Sequence, residues 1–121
     1  DGVNYPRPAG VFDAVLVDAP CTCEGTSRRN PERRRDADPH YRQKAAKQKL
    51  LLRQAIRRCA RGGRIVYSTC TLEPEENEQV IAHFLKKRPG FAIEDATPYV
   101  PSMFVESGFV RILPHRHAID G

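Results

Sequence analysis

Two kinds of apolar pattern alternate along this chain. Ala14-Val15-Leu16-Val17 is an unbroken apolar run ending at Asp18, and Ile65-Val66 is a shorter one leading into Tyr67-Ser68. Short continuous runs of this kind predict buried strands, here Phe12 to Asp18 and Arg64 to Ser68. Between them, from about Tyr41 to Ala60, helix-forming residues dominate. Ala45, Leu52, Ala55, Ile56 and Cys59 fall on one face at helical spacing, and Gly62-Gly63 closes that helix. Beyond the second strand, Pro74 suits a first helical position, and Glu73, Glu75 and Glu76 favour its electropositive N-terminus. Val80, Ile81, Phe84 and Leu85 give this second helix a buried face, and Pro89-Gly90 stops it. Phe91 to Ile93 and Gly108 to Leu113 are weaker strand candidates, joined by a Pro-containing loop. The rhythm of strand, helix, strand, helix, strand predicts an α/β fold, a sheet with crossover helices.

The polar stretches are as informative. Asp1 to Gly10 is a Pro/Gly-rich lead into the first strand. Ala19 to about His40 is long and polar, with Pro31 and Pro39 to break any helix, and an irregular segment of that length inside a compact domain is usually functional. It opens with Asp18-Ala19-Pro20-Cys21, and the second strand leads in the same way into Tyr67-Ser68-Thr69-Cys70. A cysteine just past the C-terminal end of a strand lies where α/β sheets place their ligands. Two cysteines delivered there by neighbouring strands can share one site, which points to thiol chemistry on a substrate rather than to a disulfide.

These stretches resemble the NOL1/NOP2/Sun (RsmB-like) family of RNA (cytosine-5)-methyltransferases. Phe12 to Gly25 (FDAVLVDAPCTCEG), Ser27 to Glu32 (SRRNPE), Gly62 to Glu78 (GGRIVYSTCTLEPEENE) and Arg111 to Gly121 (RILPHRHAIDG) match in the family's order. Together they span nearly the whole chain. The STCTLEPEEN block is highly specific, because its cysteine, proline and acidic run seldom coincide by chance. The resemblance implies the C-terminal half of a Rossmann-like S-adenosylmethionine-dependent methyltransferase sheet. At 121 residues the chain is one domain at most and small for a complete enzyme of that type. Both ends look cut, and no G-x-G-x-x-G pattern is present. Residues 1–121 are therefore expected to be a partial catalytic domain without its N-terminal cofactor-binding half, inactive as an isolated fragment.

Carbon 5 of cytosine is a poor nucleophile. A thiolate adding to carbon 6 pushes electron density onto carbon 5, which can then take a methyl group from a sulfonium donor; the proton on carbon 5 leaves and the thiolate is expelled. This is covalent catalysis. Cys70 is the better nucleophile candidate, lying four residues ahead of the helix expected at Pro74, whose unpaired N–H groups favour a thiolate. The resemblance also places the family's nucleophile on this cysteine. Glu73, Glu75, Glu76 and Glu78 oppose a low thiol pKa unless they point away from the sulfur. By resemblance Cys21 assists release of the methylated base. DNA cytosine-5 methyltransferases use the Pro-Cys cysteine as nucleophile instead, but a Ser-Thr-Cys block beside it belongs to the RNA enzymes. Cys23 stands where the family commonly has Gly or Ser and receives no role, and Cys59 fits the apolar helix face as a core residue. The resemblance also implies that Asp18 and Asp1 contact S-adenosylmethionine, Asp1 at its adenosine part. Pro20 shapes its turn, and Asn77 ties the helix start to the loop.

The net charge is +5, and the excess is concentrated. Arg28, Arg29, Arg33, Arg34 and Arg35 fall within eight positions, and Arg42, Lys44, Lys47, Lys49 and Arg53 follow. Such density suits either a polyanion or a solvated face. The resemblance selects RNA, an rRNA or a tRNA, with the first five arginines as its contacts. The four cysteines contain no C-x-x-C pair, so spacing predicts no metal site, and His115 and His117 read as exposed loop histidines. No signal peptide or membrane-spanning apolar run occurs. Free thiols fit a reducing, cytoplasmic setting, and a monomer is expected. Two rivals are weaker. A phosphatase-like C-x5-R at Cys23 and Arg29 lacks a phosphate cradle opening into a helix. A non-catalytic RNA-binding relative would tolerate loss of the motif cysteines, which this chain keeps.

Overall fold

The computed structural model describes residues 11–31 and 40–119. Strand β1 (Phe12–Asp18) is followed by a 3₁₀ turn at Glu24–Thr26, helix α1 (Tyr41–Arg58), strand β2 (Cys59–Ser68) and helix α2 (Glu78–Lys87). A second 3₁₀ turn at Ser102–Phe104 then leads to strands β3 (Val105–Glu106) and β4 (Phe109–Val110) and a single helical turn, α3 (Pro114–His117). β1 and β2 pair in parallel, with Ala14 opposite Arg64 and Asp18 opposite Ser68, and α1 is the crossover between them. The mixed α/β architecture expected from the periodicity is therefore present.

Successive strand residues point to opposite faces, and the two faces differ here. Val15, Val17, Ile65 and Tyr67 pack with Ala45, Leu52 and Ala55 of α1 and with Val80 of α2. The paired Leu16 and Val66 lie on the other face, 68% and 47% exposed. The unbroken run of β1 is thus buried on one side only among the described residues.

β2 begins five residues earlier than the apolar pattern suggests. Between Phe12↔Cys59 and Ala14↔Arg64 the chain advances two residues on β1 and five on β2, so the segment 60–63 bulges. Gly62 takes φ +77° in that bulge, and a Cβ at Gly63 would meet the Asp13 carbonyl and the Cys59 sulfur at 2.8 Å. The glycines let the backbone return onto β1. They do not end the helix, which stops at Arg58.

The second helix starts at Glu78, four residues after Pro74. Pro74–Asn77 forms a turn instead, with Gln79 N–H bonded to the Pro74 carbonyl at 2.9 Å. Asn77 is held out of helical geometry (φ −114°, ψ −98°). Its side chain is committed to the preceding loop, accepting from Thr69 Oγ1 at 2.6 Å and donating to the Thr71 carbonyl at 3.1 Å. Asn77 thus ties helix to loop as expected, and that tie delays the helix.

The C-terminal strand candidates fare differently. Phe91–Ile93 forms no strand, and Gly108–Leu113 contributes only Phe109–Val110. That pair belongs to a separate antiparallel hairpin with β3, closed by Ser107 and Gly108, both at positive φ (52° and 84°). A tight hairpin returns the chain at once and cannot supply the crossover that another parallel strand needs.

Candidate active site

Parallel pairing makes β1 and β2 finish side by side. The Ala19 N–H donates to the Ser68 carbonyl at 2.8 Å, one bond beyond the strand ends. The two chains then leave the sheet together and bring their cysteines into contact. Cys21 Sγ lies 3.3 Å from Cys70 Sγ, and the Cys70 N–H donates to Cys21 Sγ, also at 3.3 Å. The Gly25 N–H donates to the Cys70 carbonyl at 3.0 Å, locking the first loop over the second. Cys21 is buried, Cys70 half-buried, and both are free thiols.

Burial pushes the Cys70 thiol well above its ordinary pKa, and the neighbouring Cys21 and Cys23 thiols push it further. Burial also raises Cys21, with hydrogen bonds from Cys70 partly offsetting it. The expected stabilisation of a Cys70 thiolate by a helix N-terminus is not available, because α2 begins eight residues downstream. The acidic run is mostly accounted for elsewhere. Glu75 is exposed, Glu78 pairs with Arg111, and Glu76 turns inward.

Glu76 is the residue that sequence reasoning missed. Its side chain is fully buried, accepting from the Thr22 N–H at 3.2 Å, from the Thr22 hydroxyl and from Gln48 Nε2 at 2.8 Å. The same Gln48 amide donates to the Pro20 carbonyl at 3.1 Å, and Gln48 is also fully buried. The residues on either side of Cys21 are therefore both anchored, Pro20 to α1 and Thr22 to the loop before α2. Tyr67 Oη donates to the Glu76 carbonyl at 2.6 Å and fixes the turn from β2. Glu24 joins the network by accepting from the Thr71 hydroxyl at 2.6 Å. One signal for Gln48 was present: it occupies the buried stripe Ala45, Gln48, Leu52, Ala55, where a polar side chain needs a partner. Nothing local singled out Glu76 among four nearby glutamates.

Asp18 offers an exposed carboxylate at the end of β1, accepting from Ser68 Oγ at 3.0 Å. Arg28 and Arg29 are exposed, and Arg28 Nη1 donates to the Ala118 carbonyl at 3.0 Å. Asp1, Arg33, Arg34 and Arg35 lie outside the described residues. Cys59 is half-buried at the start of β2. His115 is exposed as expected, whereas His117 is half-buried, stacks edge-on against Phe104 and accepts from the Leu113 N–H at 2.9 Å. Between Cys23 and Arg29 the described residues form a three-residue 3₁₀ turn at Glu24–Thr26 and no α-helix. A groove of about 1100 Å³ runs along β2 and α2 past Tyr67, Phe84 and Phe109, but neither motif cysteine lines it. Among the described residues no helix is long and apolar enough to cross a membrane.

A family model described as 16S rRNA methyltransferase RsmB/F matches residues 1–121. The chain belongs to the RsmB/F family. It is 36% identical over 115 residues to ribosomal RNA small subunit methyltransferase F of Cronobacter sakazakii, covering 91% of this chain and 24% of that protein. To the probable ribosomal RNA small subunit methyltransferase B of Bacillus subtilis it is 37% identical, covering 91% of this chain and 26% of that protein. The crystal structure of PH0851 superposes with a TM-score of 0.78 at 42% identity, over 91% of this chain and 25% of that one. This RsmB/F segment thus spans about a quarter of the length of the relatives it matches.

Proposed function

We propose that the full-length protein carrying this RsmB/F segment methylates carbon 5 of cytosine in RNA, taking the methyl group from S-adenosylmethionine. The observation that carries this reading is the 3.3 Å contact between Cys21 and Cys70 at two adjacent parallel strand ends. The names of the relatives support rRNA as the substrate. The parallel β1–β2 pair with its crossover helix supports a place in a Rossmann-like sheet.

In this reading Cys70 adds to carbon 6 and Cys21 assists expulsion of the methylated base. Asp18 fits the cofactor: its exposed carboxylate at the strand end can accept from a hydroxyl or an amine, and Ser68 orients it. Burial holds Cys70 in its thiol form. The sulfonium donor supplies the methyl group and a positive charge that favours the thiolate when the site is loaded. Incubation of the full-length protein with radiolabelled donor and total RNA tests the reaction. Label in 5-methylcytosine of RNA is expected; label only in DNA, or on another base, rejects it.

The basic segment Arg28 to Arg35 contacts the RNA backbone in this reading and does not select sequence. Replacing Arg33, Arg34 and Arg35 together by Gln is expected to weaken binding to RNAs of unrelated sequence alike. The slope of log affinity against log salt should flatten by about 2, or roughly 0.7 for each lost phosphate contact to single-stranded RNA. Unchanged affinity and slope would make the segment a solvated loop.

A further inference from the structure

Three thiols meet where the proposed reaction uses two. Cys23 takes no part in the chemistry above, yet its Sγ lies 3.8 Å from Cys21 Sγ. The Sγ atoms of Cys21, Cys23 and Cys70 all fall within 4.8 Å of one another. Sequence spacing hid this grouping, because the third sulfur comes from the other loop. An ion that binds sulfur at about 2.3 Å in tetrahedral geometry holds its ligands roughly 3.8 Å apart, so small side-chain rotations suffice to bring all three to bonding distance.

The surroundings suit such an ion. Cys21 is buried, while the half-buried Cys23 and Cys70 are reached by solvent. The sulfurs sit on anchored backbone. Cys23 takes a left-handed conformation (φ 66°) at the start of the Glu24–Thr26 turn. The Gly25 N–H fixes the Cys70 loop, and Gln48 and Glu76 hold the residues flanking Cys21. Thiolates prefer soft or borderline cations, which rules out magnesium and calcium as occupants.

We propose that Cys21, Cys23 and Cys70 form a three-thiolate site for a thiophilic divalent cation of the zinc class, with water as the fourth ligand. Each thiol loses its proton to solvent as its sulfur–metal bond forms, so three protons leave for each ion bound. Occupation ties up Cys70 and blocks its addition to a base; this consequence, unlike the binding itself, rests on the methyltransferase reading.

The test uses the full-length protein, reduced with a phosphine and stripped by a chelator. Cadmium titration is expected to give a thiolate-to-metal charge-transfer absorption saturating at one ion per site, and bound zinc should protect Cys21, Cys23 and Cys70 from alkylation as read by mass spectrometry. Cys23→Ser should weaken zinc binding by more than about tenfold, since even the outer partners of metal ligands contribute that much. Cys59→Ser should leave affinity unchanged. Absence of protection at the three cysteines, or equal zinc affinity in wild type and Cys23→Ser, overturns the site. Methyl transfer by the wild type should fall in step with zinc occupancy, and full activity at saturation overturns the blocking claim. Absorption and protection are read without turnover, so failure of the catalytic reading leaves the binding test standing.

Discussion

Cys70→Ala in the full-length protein is expected to abolish both methylated RNA and covalent protein–RNA complex, whereas Cys21→Ala accumulates the complex. In the proposed mechanism the first change removes the atom that bonds to carbon 6, so the loss of product should be on the order of a thousandfold or more, the scale seen when a nucleophile is deleted. The second leaves addition and methyl transfer possible and slows expulsion of the base. In that mechanism the 3.3 Å separation of the two sulfurs puts one cysteine within reach of an adduct held by the other. Denaturing gels of both variants with RNA and cofactor distinguish the roles. A complex that builds up with Cys70→Ala and disappears with Cys21→Ala would reverse the assignments and make the site work as in the DNA enzymes.

Glu76→Gln is expected to lower stability by about 1–3 kcal/mol, the cost of leaving a buried donor unsatisfied. The wild-type side chain accepts at both oxygens, from Gln48 Nε2 on one and from Thr22 on the other. An amide offers one acceptor, and its NH₂ would face either the Gln48 amide or the Thr22 N–H, donor against donor. Gln48→Met should cost about 2 kcal/mol by removing the donor to Glu76 and to the Pro20 carbonyl. Both changes release the loop around Cys21, so each should also raise the fraction of trapped protein–RNA complex, as Cys21→Ala does. Denaturant midpoints report the first effect and gels the second. Loss of stability with no change in complex would confine the pair to a structural role, and unchanged stability would show that the network is dispensable.

Where the sequence could be read correctly, the signal was local. The faces of α1 and α2 record burial at a helical repeat, although Cys59, read as the last core residue of the first face, begins β2. The unbroken run of β1 marks a strand but not that Leu16 is exposed. The boundary errors share one cause. Gly62-Gly63 carries an ordinary helix-stop signature, but its glycines are needed where β2 bulges against Asp13 of another strand. Pro74 carries an ordinary helix-start signature, but Asn77 is pulled away to bond Thr69 and Thr71. In both cases a tertiary partner outweighed local propensity.

By itself the sequence determined that the chain is α/β, that two cysteines follow two strands, and which family motifs they lie in. Only the tertiary structure decided which groups meet. Parallel pairing sets Asp18 beside Ser68 and so joins loops 49 residues apart at the sulfurs of Cys21 and Cys70. It also adds Cys23 as a third thiol and turns Glu76, out of an acidic run, into the buried anchor of the Cys21 loop. The reason is physical. Periodicity along a chain records whether a side chain is buried, because burial repeats with the helix or strand, whereas a hydrogen bond or a thiol contact between distant loops leaves no repeat to read.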